Sequence, residues 1–163
     1  MKHNLLIIGA GQYGYVAKEI AESLNEYEKI DFLDDNNEEA IDKVSNLSNF
    51  KNDYDRAIVS IGNPEVREKL TKELLDNNFI LAKLISPKAY VSNSSTVGDG
   101  SIVEPMAVVN ANSKVGISTL VCAGAIINHN AIVKDFCQIN CGSVVKPNSI
   151  VENKIKTEYN SVV

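Results

Sequence analysis

The chain has 163 residues, 44% of them hydrophobic and 23% charged, with a net charge of −5. That length holds one domain or two small ones with a real core, and the acidic balance excludes the basic footprint of a nucleic-acid binder. No apolar run approaches the roughly 18 residues that a membrane span needs, and Met1-Lys2-His3-Asn4 lacks the apolar stretch and cleavage site of a signal peptide.

Leu5-Leu6-Ile7-Ile8 reads as a short buried strand, followed by Gly9-Ala10-Gly11-Gln12-Tyr13-Gly14 and an amphipathic helix from Val16 to Leu24. Ile30-Asp31-Phe32-Leu33 is a second strand ending in Asp34-Asp35. The polar stretch 36–53 predicts loop with a short strand or turn. Ala57-Ile58-Val59-Ser60-Ile61 is a third strand, ending in Gly62-Asn63-Pro64. Pro64 suits the first turn of a helix, whose apolar face would be Val66, Leu70, Leu74 and Leu75. Phe79-Ile80-Leu81-Ala82 is a fourth strand. Two strand–helix–strand units argue for a small parallel, Rossmann-like α/β domain over residues 1–84.

From Ile85 the pattern changes. Every sixth residue is a β-branched aliphatic: Ile85, Val91, Val97, Val103, Val109, Val115, Val121, Ile127, Val133, Ile139, Val145 and Val151. Two positions before each, from Ala89 onward, the residue is small. A hexapeptide period marks a parallel β-helix, expected left-handed, with about 18 residues per triangular coil and about four coils over 85–156. The aliphatic side chains should stack inward in three columns, and the small residues should fit the tight corners. Residues 157–163 break the aliphatic pattern and read as a tail, either a cap or a frayed end. Asn112, Asn130 and Asn148 recur at the coil spacing, as do Asn110 and Asn128, which suggests amide ladders. The odd set Cys122, Cys137 and Cys141 lies inside the repeat and suggests free thiols and a cytoplasmic protein.

The glycine stretch fits G-x-G-x-x-G between a strand and a helix, and Asp34 lies twenty residues past Gly14. Glycines there let backbone approach phosphate, the helix start favours negative charge, and the acid suits ribose hydroxyls. A domain this small has room for one nucleotide moiety rather than a whole dinucleotide. His129 is the only histidine in the repeat, a candidate general base near neutral pH. One histidine cannot build a three-histidine zinc site, so no metal is expected.

These motifs together resemble a bacterial sugar acyltransferase family with hexapeptide repeats, the group of nucleotide-linked amino-sugar N-acetyltransferases and sialic acid O-acetyltransferases. The matching stretches are Ile8 to Gly14, Phe32 to Asp35, Ser60 to Arg67, Leu84 to Pro87 and Ala123 to Asn130. The resemblance implies that Gly11, Gln12, Tyr13, Asp34, Asp35, Gly62 and Glu65 bind a nucleotide-sugar. It implies that His129 is the general base, with Asn130 beside it where the family usually has an acid. Gln138 stands where some members contact acetyl-CoA through a histidine, and Gln12-Tyr13 replaces the commoner Gly-His. The family pattern also runs several coils beyond the four counted here, a shortened C-terminus by comparison. The expected function is acetyl-CoA-dependent acylation of a nucleotide-linked sugar by a homotrimer without metal. The alternative is a catalytically weak or inactive nucleotide-sugar-binding β-helix protein.

Overall fold

In the computed structural model, residues 2–163 are described, and they divide into two compact units, one up to Leu84 and the other Ile85–Val163. In the first unit β1 (His3–Ile8), α1 (Gln12–Leu24), β2 (Tyr27–Leu33), a 3₁₀ helix (Val44–Phe50), β3 (Arg56–Val59), α2 (Pro64–Asp76) and β4 (Ile80–Leu81) follow in order. The four strands are parallel in the order β2-β1-β3-β4. Leu5, Leu6, Ile7 and Ile8 are wholly buried, as a central strand covered on both faces requires, which is why they read as an unbroken apolar run.

Several boundaries differ from the sequence reading. The first helix starts at Gln12, so Gln12, Tyr13 and Gly14 are its first turn rather than loop. The second strand begins at Tyr27, and the polar stretch contains the 3₁₀ helix, whose Leu47 is buried in the core with Leu33 and Tyr54. In α2 the buried face is Arg67, Leu70, Thr71 and Leu74, while Val66 and Leu75 are exposed. The i, i+3, i+4, i+7 stripe therefore begins at an arginine. Its guanidinium donates to the carbonyls of Ile61 and Gly62 at 2.7 and 3.0 Å, a satisfied buried charge that an apolar-face search overlooks.

The second unit is the parallel β-helix. Its two-residue strands stack at a spacing of 18 into parallel sheets, and the expected columns form. Val97, Val115, Val133 and Val151 align in one. Val103, Val121 and Ile139 form a second, and Val91, Val109, Ile127 and Val145 the third. Together with Ala107, Ala125, Ala131 and Cys137 they make one continuous core.

The asparagine row has a different cause from the one expected. Asn112, Asn130 and Asn148 all have φ near +60°, at the left-handed corner of each coil, which Asn tolerates better than most residues. Among the described residues the only amide-to-amide ladder contact is Asn110 Nδ2 to Asn128 Oδ1, at 3.4 Å. The tail also departs from expectation. Thr157 and Val163 continue the six-residue series, Thr157 buried and Val163 packed on the core. Lys156 bridges to Gln138 and Val162 to Val144, so the winding extends through the last residue. An inward threonine hid this, because its hydroxyl is accommodated by Asn140 N at 2.9 Å and Ser143 Oγ at 3.1 Å.

Val121 is wholly buried between Val103 and Ile139. Val121→Asp should cost at least about 3 kcal/mol, because it places an unpaired carboxyl inside a dry column. Chemical denaturation of the variant beside the parent measures this, and a change under about 1 kcal/mol would contradict the packing.

Candidate active site

Parallel strands gather their carboxyl ends, and the loops that follow them, at one edge of the sheet, where ligands of such folds usually bind. Here that edge holds the glycine loop after β1 and the Asp34-Asp35-Asn36-Asn37 turn after β2. Between them lies an open cleft of about 750 Å³ lined by Ala10, Gly11, Asp34, Asn36, Asn37, Glu38 and Glu39.

Two of the three glycines have separate structural reasons. Gly9 has φ +104°, and a Cβ there would lie 2.8 Å from Ile61 Cγ1. Gly14 is in the helix, where a Cβ would run into the carbonyl oxygen of Gly9, so it sets how closely α1 approaches β1. Gly11 has an ordinary φ of −73°, and a Cβ there would meet nothing. Neither the backbone nor the packing of this chain demands glycine at position 11.

Side chains hold this loop from the β2 side. Asp34 Oδ2 accepts from Ala10 N at 2.7 Å, while its Oδ1 accepts from Asn36 N and Asn37 N at 2.8 and 3.1 Å. Desolvation is the largest single influence on the Asp34 carboxyl and raises its pKa. The three backbone donors together outweigh it and leave the pKa below the ordinary value. The depressed sign means that the carboxylate's contribution to stability is present above the unfolded value of 3.8 and is lost as pH falls through the lower folded one. Asn37 Nδ2 donates to Ala10 O at 2.6 Å and to Tyr15 Oη at 3.1 Å. Just past β3, Ser60 Oγ donates to Gly9 O at 2.8 Å.

The residues expected to hold a nucleotide-sugar are distributed unevenly. Gly11 and Asp34 line the cleft. Gln12 is the exposed first residue of α1, and Tyr13 is half-buried with its hydroxyl oxygen inside the protein. Asp35 accepts from Val44 N at 3.0 Å, at the start of the 3₁₀ helix. Gly62 gives its carbonyl to Arg67, and Glu65 lies exposed in the first turn of α2. Asn36, Asn37, Glu38 and Glu39 line the cleft and were not anticipated. Their signal was position alone, a polar run just past the carboxyl end of a parallel strand.

In the β-helix, His129 is exposed and directly precedes the left-handed corner at Asn130. Its carbonyl accepts from Asn148 N at 3.2 Å, one coil on. Asn130 Nδ2 and His129 Nδ1 are 3.3 Å apart, so the two expected catalytic residues do meet side chain to side chain. Gln138 is buried instead. Its amide donates to Asn140 Oδ1 at 2.8 Å and lies 3.9 Å from Cys122 Sγ. Burial, reinforced by the Glu104 carboxylate, pushes the Cys122 thiol far up and keeps it protonated at neutral pH, so it is no nucleophile. Among the described residues no helix is long and apolar enough to cross a membrane.

Residues 4–74 match the sequence model of the PglD N-terminal domain family. The acetyltransferase domain of PglB from Neisseria gonorrhoeae FA1090 is 29% identical, with a TM-score of 0.95 over 99% of this chain and 82% of that one. The same domain in complex with acetyl coenzyme A is also 29% identical, with a TM-score of 0.93 over the same shares. A mutant perosamine N-acetyltransferase from Caulobacter crescentus, in complex with CoA and GDP-perosamine, is 21% identical. It shares the fold at a TM-score of 0.66 over 94% of this chain and 90% of its own. No curated protein sequence matches. The expected resemblance to hexapeptide-repeat sugar acyltransferases is borne out, and acyltransferase is the enzyme class it supports.

The glycines give a test with opposite signs. Alanine inside a helix normally gains up to about 1 kcal/mol over glycine. Gly14→Ala should instead lower the melting temperature, because its Cβ meets the Gly9 carbonyl. Gly11→Ala should leave the melting temperature within about 2 °C of the parent, since its Cβ meets nothing. Scanning calorimetry of both variants decides it, and a stabilised Gly14→Ala would refute the close approach.

Proposed function

We propose that this chain transfers an acetyl group from acetyl-CoA to an amine or hydroxyl of a nucleotide-linked sugar, with His129 as general base. The observation that carries the reading is one chain joining a glycine-loop cleft to a hexapeptide β-helix with an exposed corner histidine. It is matched over 99% of its length by an acetyltransferase domain solved with acetyl coenzyme A. The product would be a precursor for surface polysaccharide or another glycan, made in the cytoplasm. The three cysteines are free, which suits that compartment. A homotrimer is the assembly the resemblance implies, and closed three-fold symmetry permits it.

The nucleotide's phosphates would face the start of α1, where the N–H groups of Gly11 and Gln12 and the helix dipole favour negative charge. Glycine at position 11 then has a reason, namely close approach of the backbone to a ligand. In the β-helix, His129 would take the proton from the acceptor as its nitrogen or oxygen attacks the thioester carbonyl. The tetrahedral adduct collapses with loss of the CoA thiolate, which leaves protonated once the imidazolium returns the proton. Direct transfer needs no acyl-enzyme, only the two substrates held together. Asn130 would orient the ring. The observed contact sets Asn130 Nδ2 against Nδ1; with the amide turned over, its Oδ1 would accept from Nδ1–H and leave the Nε2 lone pair outward for the acceptor.

One observation favours the second reading, a binding protein with weak or no transfer. Gln138, which the resemblance sets where some family members contact acetyl-CoA through a histidine, has its side chain turned into packing with Asn140 and Cys122.

Steady-state assays with a panel of amino-sugar nucleotides and acetyl-CoA test the enzyme reading. His129→Ala should lower kcat by roughly 10²–10⁴-fold while KM changes little, the usual share of positioned proton transfer. An equally active variant means that another group is the base. A parent that binds a nucleotide-sugar but transfers nothing moves the conclusion to the binding protein.

Calorimetry tests the cleft separately. Gly11→Val should weaken nucleotide-sugar binding by about tenfold or more and leave the β-helix melting unchanged, because the new side chain occupies the space of approach. Unchanged affinity would refute the site.

A further inference from the structure

We propose that Asn37 and Asp34 form a two-sided clamp on Ala10 that sets the glycine loop to receive the substrate's diphosphate. Both are then positioning residues and neither is a ribose ligand. The inference rests on the nucleotide-sugar reading above and assigns roles within that site.

Ala10 sits between the two glycines of the loop, and both of its backbone polar groups are held by side chains from across the cleft. Its N–H goes to Asp34 Oδ2 at 2.7 Å and its carbonyl to Asn37 Nδ2 at 2.6 Å. Gripping a peptide segment at donor and acceptor fixes its rotation about the chain axis, and with it the direction of the next N–H groups, those of Gly11 and Gln12.

The orientation of the Asn37 amide is determined by its neighbours. Its Oδ1 accepts from Glu39 N at 2.8 Å, and its two N–H bonds go to Ala10 O and Tyr15 Oη. A flipped amide would put oxygen against the Ala10 carbonyl and NH₂ against the Glu39 N–H, losing both of those contacts at once. Tyr15 lies in α1 and packs on Phe32 of β2, with ring centroids 5.4 Å apart. Asn37 thus ties the loop, the helix and the turn after β2 into one piece.

Asp34 occupies the place where dinucleotide-binding folds put their ribose acid. Here its two oxygens take three backbone N–H donors, one from the loop and two from its own turn. That use holds the carboxylate ionised and aimed at protein rather than at a sugar. A ribose acid is chosen for its hydroxyl partner, whereas a clamp is chosen for its backbone partner, and the two predict different ligand dependence.

The test uses the full chain and isothermal calorimetry with uridine, guanosine, cytidine and adenosine diphosphates, each as the ribo and the 2′,3′-dideoxy form. Asn37→Asp is nearly isosteric and keeps the acceptor for Glu39, but turns an oxygen on the Ala10 carbonyl. It should weaken binding of the best ligand by roughly tenfold or more. Asp34→Asn should do the same, and the factor should be equal for the ribo and dideoxy forms. In turnover the KM for the nucleotide-sugar should rise while kcat at saturation and the KM for acetyl-CoA stay within about twofold.

A loss confined to the ribo form in Asp34→Asn would make Asp34 a ribose ligand and overturn the clamp. Unchanged affinity in Asn37→Asp would overturn it with the nucleotide reading intact. If the parent binds no nucleoside diphosphate and no nucleotide-sugar, both fail together. Should Asp34→Asn lose its melting transition, Asn37→Asp and Asn37→Ala decide the matter, since position 37 lies in a surface turn outside the helices and strands.

Discussion

One backbone requirement governs the second unit. From Gly100 onward each six-residue edge ends in a corner that turns the chain, and the corner residue takes a left-handed φ. Gly100, Met106, Asn112, Ser118, Gly124, Asn130, Phe136, Gly142, Asn148, Lys154 and Asn160 all do so, at strict spacing. For a residue with a Cβ that conformation costs roughly 1–2 kcal/mol. The fold offsets it with a recurring hydrogen bond from the corner N–H to a carbonyl one coil back. Asn130 N to Ala111 O, Phe136 N to Ile117 O and Lys154 N to Asp135 O are examples, at 3.0, 2.9 and 2.9 Å. Side chains as unlike as Met, Phe and Lys occupy such corners, so the stacked neighbour rather than the residue's own preference enforces the turn.

The position of His129 follows from that requirement. A residue directly before a left-handed corner lies at the outer edge of the prism. Its carbonyl is pinned by the next coil's corner N–H, in this case Asn148 N. The imidazole is therefore exposed on backbone fixed from both sides, by Ala111 O holding Asn130 and by Asn148 holding His129 itself. If His129 is the base proposed above, a proton acceptor mounted this way would need little ordering when a substrate arrives, which is where positioned catalysis gains most.

The β-helix was legible from Ile85 to Val151 because inward burial and coil spacing act on the same positions, so composition carries the geometry. The winding stayed hidden where chemistry replaced hydrophobicity. Thr157 fills an inward slot through hydrogen bonds to Asn140 and Ser143, and the corner asparagines looked like amide ladders because both causes produce the same spacing. The first unit showed its strands and helices but not what holds its cleft together. Asp34 fits a motif at the correct distance from the glycines, yet its observed partners are backbone N–H groups. Asn37 and Arg67 act on carbonyls. Contacts from a side chain to a distant main-chain atom leave no period and no preferred residue type, so a sequence pattern does not reveal them.

The two strand–helix crossings of the sheet also differ in a way that bears on where an anion goes. At α2 the chain completes its own helix start. Asn63 Oδ1 accepts from Glu65 N and Val66 N, Pro64 removes one donor, and Glu65 places a negative charge in the first turn. At α1 the cap is Gly11, which brings no side chain to cap the first turn, and no acid lies in that turn. The orphan N–H groups of a helix start always find a partner in protein, water or ligand. With Asn63 and Glu65 in place, the start of α2 is less favourable to an anion than that of α1, so on the proposed reading the Gly62 and Glu65 turn would face the neutral part of the substrate. The cleft's own acids, Glu38 and Glu39, lie in the loop beyond Asn37 rather than in that first turn. On the proposed reading, charge would sort the ligand along the carboxyl edge of the sheet, with the diphosphate at α1 and groups bearing hydrogen-bond donors toward the acidic loop.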